Sequence, residues 1–167
     1  MQSKWLIPLL LSSLLIITLA CSDEETYDVE QPKIIELTSP APCESFAFGD
    51  TIFLKAKLSD NENLNGFKLN LHHNFDHHTH GNHKEVCQLN PRLSSKEIAA
   101  TNPFLKDWSA TLPNASQVSV DTFFVLPKLN AENNLPFTGG DYHAILYVTD
   151  DGGNQSFSSV SIGLTDK

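Results

Sequence analysis

Two alternating runs close the chain. Residues 140–150 read Gly-Asp-Tyr-His-Ala-Ile-Leu-Tyr-Val-Thr-Asp, and residues 155–164 alternate back after the turn Asp151-Gly152-Gly153-Asn154. Tyr142, Ala144, Leu146 and Val148 share one face at period two, so His143 falls on the other. This pattern predicts a terminal β-hairpin with one buried face. Five earlier runs, near 33–38, 51–58, 66–73, 107–112 and 117–125, are short and bounded by turns. In the third, Phe67, Leu69 and Leu71 point one way, and Lys68, Asn70 and His72 the other. Trp108 and Phe124 read as core residues. Seven such runs predict an all-β sandwich. A segment at 94–100 reads as one helical turn with a serine N-cap.

The first twenty residues form an address rather than structure. Lys4 precedes an apolar run that ends at Ala20, too short for the roughly 20 apolar residues of a transmembrane helix. Ala20-Cys21 resembles the cleavage and acylation site of bacterial lipoproteins, which makes Cys21 the lipidated residue. An ordinary signal peptide cut nearby is the alternative. Ser22-Asp23-Glu24-Glu25 resembles the surface-export signal of Bacteroidetes lipoproteins, with an acidic spacer on a periplasm-facing lipoprotein as the alternative. The expected division is a signal peptide at 1–20, an acylated cysteine and acidic tether at 21–31, and one domain at 32–167.

Gly-Asp-Tyr-x-Ala-x-Leu-x-Val-x-Asp-Asp-Gly-Gly-Asn, at 140–154, resembles the last hairpin of bacterial immunoglobulin-like domains. Tyr142 takes the place of the corner tyrosine of such sandwiches. With the lipoprotein head, Ser39-Pro40 and His72-His73-x-Phe75-Asp76-x-His78-x-His80-Gly81, the sequence resembles a family of Bacteroidetes immunoglobulin-like surface lipoproteins of unknown function. The resemblance implies an immunoglobulin-like sandwich of about seven strands with a long connection between the third and fourth. It also implies an outer-membrane location, but it brings no reaction.

Six of the seven histidines lie in the thirteen residues from Leu71 to His83, and the seventh is His143. If successive strands are antiparallel, the connections carrying Cys43, the histidines with Cys87, and the approach to His143 share one pole. Immunoglobulin topology makes the third and sixth strands neighbours. His72 and His143 are then expected to be cross-strand neighbours, about 5 Å apart between Cβ atoms. Asp76, His77, His78, His80 and His83 are the candidates to complete a metal site, while His73 reads as a packed rim residue. Imidazole with carboxylate suits Zn²⁺, with Ni²⁺ or Cu²⁺ as alternatives. Cys43 and Cys87, drawn to the same pole, favour a disulfide in an exported protein over two free thiols.

The chain has 167 residues and a formal net charge of -9. With no basic run, it is a poor ligand for nucleic acid. No nucleophile motif, phosphate loop or dinucleotide fingerprint occurs, so no enzyme is expected, although Asp76 or Glu85 could serve a zinc hydrolase as base. The expected partners are outer-membrane lipid through Cys21, a metal ion, and an extracellular or envelope protein or glycan. An adhesin-like module with incidental histidines is the competing reading, and a pH-responsive or merely solvated loop is a third.

Overall fold

A computed structural model describes residues 27–76, 78–80, 87 and 102–165. The signal segment, Cys21, the acidic tetrad, His77, His83, Glu85 and the helical turn expected at 94–100 lie outside these residues. Eight strands are present among them: β1 (Lys33–Ser39), β2 (Ser45–Ala47), β3 (Thr51–Ser59), β4 (Leu64–His73), β5 (Leu105–Thr111), β6 (Gln117–Val125), β7 (Gly140–Asp150) and β8 (Gln155–Thr165). They form two sheets, ordered β1-β3-β6 and β2-β8-β7-β4-β5. The protein is an all-β sandwich.

Alternation builds the core. Ile52, Leu54, Ala56 and Leu58 of β3 face Leu69 and Leu71 of β4, Tyr142, Ala144, Leu146 and Val148 of β7, and Val160, Ile162 and Leu164 of β8. All are buried. Trp108 and Phe124, one from each sheet, pack with ring centroids 4.9 Å apart.

Seven strands were expected and eight are found. The additional one, β2, pairs in parallel with the end of β8, Ser45 against Gly163. Three residues are too few to display a period, which is why this edge strand was read as part of a connection. The expected tether also ends earlier than Gln31. Asp28 is already docked, accepting a hydrogen bond from Asn61 Nδ2 at 3.0 Å, while its carbonyl accepts one from Asn154 Nδ2 at 3.0 Å.

Tyr142 ties the framework to the long connection. Its hydroxyl donates to Thr138 O at 2.6 Å and accepts from Phe104 N–H at 3.1 Å. Burial pushes its ionisation up to about 12, partly opposed by the Phe104 hydrogen bond, so the phenol stays a donor. The return of the connection into β5 is thereby fastened to the approach to β7.

Candidate metal centre

Strand register sets the first two members of the histidine group. His72 of β4 and His143 of β7 are paired across the sheet, and Ser161 of β8 continues the same row. All three point away from the core. Cys43 borders this row, its N–H donating to Ser161 O at 2.7 Å. Cys43 and Cys87 are joined by a disulfide, with Cα atoms 5.2 Å apart. Cys87 Sγ lies 3.4 Å from the same Ser161 carbonyl. The long connection is therefore pinned beside the histidine row.

Phe75 turns the chain back over the sheet. Its ring packs edge-on against Tyr142 at 5.4 Å and stacks on His73 at 5.0 Å. It fits only because residue 140 is glycine. A Cβ there would stand 2.5 Å from Phe75 Cε1, and the backbone φ of +150° is one that side chains rarely adopt. Beyond the turn, Ser159 Oγ donates to His80 O at 3.4 Å. The covering explains why His143, on the expected outward face, is only 3% exposed.

Four imidazoles meet here: His72, His78, His80 and His143, with one ligand atom from each within 4.8 Å of the others. Their six ring-centroid separations are 5.2, 4.8, 5.5, 4.9, 5.1 and 5.0 Å. Six nearly equal edges define a tetrahedron whose centre is about 3.1 Å from each centroid; a zinc ion bound at about 2.0–2.1 Å from nitrogen would lie about 3.2 Å from each ring's centroid. A square-planar ion would instead need two opposed pairs about 6.4 Å apart, and no pair is that wide.

The tautomers follow from the neighbours. Asp107 Oδ1 accepts from Asn70 Nδ2 at 2.6 Å, so the Asn70 amide oxygen must face His72. His72 Nδ1 lies 2.5 Å from that oxygen and therefore carries the proton. His78 Nδ1 likewise donates to Asp76 Oδ1 at 2.5 Å. Both Nε2 atoms are left with lone pairs, yet they lie 3.1 Å apart, with His80 Nε2 at 2.9 Å from His72 Nε2. Converging lone pairs are complementary to a cation, and the outer hydrogen bonds aim them at it.

Electrostatics favours the neutral forms of His72 and His80. Desolvation, followed by the fields of His80, His78 and His73, pushes His72 down to about 4, against a small opposing pull from Asp76. His80 is lowered by desolvation and by His78. The hydrogen bond from His78 holds Asp76 below its ordinary value. A neutral imidazole is the form that ligates metal.

Asp76 was a candidate ligand, but it stands outside the four-nitrogen group and orients His78 instead, because its oxygen meets the far ring nitrogen. His73 stays with Phe75, as a packed rim residue would. Asn70 and Asp107 were not singled out beforehand. Asn70 sits two residues before His72 on the same strand face, which is a visible signal, but Asp107 becomes relevant only once β5 is known to pair with β4.

The sequence matches, over residues 19–165, the family described as a domain of unknown function, DUF4625. The chain belongs to the DUF4625 family. The match spans all four clustered histidines and both bonded cysteines. No curated protein matches this DUF4625 chain. Among solved structures it is similar to the sporulation control protein Spo0M from Bacillus subtilis, at 12% identity and a TM-score of 0.43, covering 83% of this chain and 51% of that one. It is also similar to the Pseudomonas fluorescens alkylpurine DNA glycosylase AlkC bound to DNA with an abasic-site analogue, at 9% identity and a TM-score of 0.39, covering 79% and 30%. The DUF4625 chain thus spans about half the length of Spo0M and less of AlkC, and neither likeness bears on its function.

Proposed function

We propose that this protein is a lipid-anchored outer-membrane protein, exposed at the cell surface, that binds a zinc-like divalent ion through His72, His78, His80 and His143. The observation that carries the reading is the set of six near-equal ring separations, which match tetrahedral coordination. Four nitrogens fill such a sphere. Catalytic zinc keeps an open position, so a closed site supports holding the ion rather than hydrolysis. Copper(II) binds most nitrogen sites more tightly, but its preference for tetragonal geometry counts against it here.

The address rests on Ala20-Cys21 and the acidic tetrad that follows. The Cys43–Cys87 disulfide supports export, since such bonds persist outside the reducing cytosol. The immunoglobulin-like assignment is supported by the β4–β7 pairing and by the Tyr142 hydroxyl reaching back to Thr138.

Calorimetric titration of the tag-free mature protein with Zn²⁺ tests the reading. One saturable site of submicromolar affinity is expected. Weak uptake at several sites, indifferent to His72→Ala/His143→Ala, would reduce the cluster to adventitious binding. A Cys21→Ser variant that still incorporates labelled fatty acid would remove the anchor.

A second reading has one observation behind it. Phe53 and Phe123 are register partners on the outer face of the three-stranded sheet, 50% and 60% exposed, with Val125 nearby. An exposed aromatic pair of this kind suits a protein or glycan partner. A glycan array probed with wild type and Phe53→Ser/Phe123→Ser separates that reading from metal binding alone.

A further inference from the structure

The opposite end of the sandwich carries a second convergence of ligand groups. Asp28 precedes β1, Asp60 directly follows β3, and Asp150 ends β7. One oxygen from each lies within 4.8 Å of one from the others. All three carboxylates are used in the same way. Asp28 Oδ1 accepts from Glu30 N–H at 3.0 Å, Asp60 Oδ2 from Glu62 N–H at 2.9 Å, and Asp150 Oδ1 from Asn154 N–H at 2.7 Å. The remaining oxygens, Asp28 Oδ2, Asp60 Oδ1 and Asp150 Oδ2, are buried without a hydrogen-bond partner. Asp150 as a whole is 1% exposed.

Three carboxylates whose facing oxygens are buried together repel one another unless a cation joins them. Among the described residues no salt bridge reaches Asp28, Asp60 or Asp150. Lys33 feels Asp60, but its ammonium is engaged by Glu30 at 2.5 Å. The surrounding backbone is drawn tightly around the group. A Cβ on Gly152 would stand 3.2 Å from Asp28 Cβ and 3.3 Å from Asp150 Oδ1.

We propose that Asp28, Asp60 and Asp150 form a calcium site that fastens the segment before β1 to the ends of β3 and β7. Calcium takes oxygen ligands at about 2.3–2.6 Å, so two oxygens on one ion lie no more than roughly 5 Å apart, the spread found here. Charged carboxylates suit this hard cation, whereas the imidazoles at the other pole suit a borderline one. Asp151, Gly152 and Gly153 are exposed beside the group, giving water access to the remaining coordination positions. The site is separate from the histidine centre and does not depend on it.

The test uses the mature chain, stripped with chelator and titrated with Ca²⁺ alone, alongside Asp28→Asn, Asp60→Asn and Asp150→Asn. Asparagine keeps an oxygen for the local N–H and replaces the other with an amide. Wild type is expected to take up one Ca²⁺ and to melt roughly 8 °C higher at a concentration about a hundredfold above its Kd. Each variant is expected to melt higher than wild type in chelator, because repulsion is relieved, and to lose the calcium response. His72→Ala/His143→Ala should respond to calcium as wild type does. The absence of saturable uptake by folded wild type up to about 10 mM Ca²⁺ would overturn the proposal, that being above the usual range of weak calcium modules. So would unchanged uptake in Asp28→Asn and Asp60→Asn, or lower melting of both in chelator. Should Asp150→Asn fail to fold, the two half-buried positions still decide. A larger response to Mg²⁺ than to Ca²⁺ would overturn the choice of ion.

Discussion

The two ends of β7 present opposite ligand chemistry on one strand. His143 stands near its start and Asp150 at its end, about 23 Å apart at the rise of an extended strand. At the first end imidazole nitrogens converge; at the second, carboxylate oxygens. They are also assembled differently. The histidine centre draws two imidazoles from paired strands and two from one long connection. The aspartate group takes one ligand from each of three chain segments that meet at a pole. The first depends on a loop being held down, and the second on where strands stop.

The strongest way to break the comparison is His72→Ala/His143→Ala, which should abolish saturable Zn²⁺ uptake in calorimetry while leaving the far end unaffected. Loss of calcium binding in the same variant would show the two ends to be coupled through the fold.

Cys87→Ala comes next. Closing 44 residues of sequence is worth about 4 kcal/mol on chain-entropy grounds, so urea unfolding should show a loss of that order. Zinc affinity should fall with it, because the connection loses its anchor beside Ser161. Calcium affinity should not.

Asn70→Ala and Asp76→Ala sharpen the picture at the histidine end. Each removes an orienting acceptor but no ligand, and each should weaken zinc about 10–100-fold in competition with a chromophoric chelator. An Asp107→Ala change, one step further out, should act in the same direction and less.

The smallest effect concerns pH in the metal-free protein. The unfolded chain protonates His72 near 6.5, whereas the folded protein resists until about 4. Stability should therefore be flat above pH 6.5, decline as pH falls from 6.5 toward 4, and take no further loss from this group below that. His72 is partly exposed, so solvent reduces the decline. Urea midpoints in chelator would measure it, and His72→Ala should flatten the curve.

Much of this arrangement was legible in the sequence, for physical reasons. A period of two fixes which face a side chain takes, so the placing of Phe67, Leu69 and Leu71 inside and His72 outside needed no coordinates. The His72–His143 pairing followed from assigning β4 and β7 as neighbours. Other features had no local signature. Asp76 and His78 both looked like ligands, because nothing along the chain says which ring nitrogen faces the carboxylate. The burial of His143 depends on a covering that the strand pattern does not encode. Asp28, Asp60 and Asp150 are distant in sequence, and each looked like an ordinary turn residue or part of a tether.

The disulfide has a consequence for how an ion is captured. The segment bearing His78 and His80 leaves the sheet at His73 and is bonded again at Cys87, so both its ends are fixed. On the proposed reading, with His72 and His143 holding the ion, the loop imidazoles would arrive as tethered groups at high effective concentration rather than as independent ligands. A free peptide with the same histidines would have to close on the ion from a far larger set of conformations. On that reading four separate imidazoles act as a single chelator, and slow release of the ion should accompany tight binding.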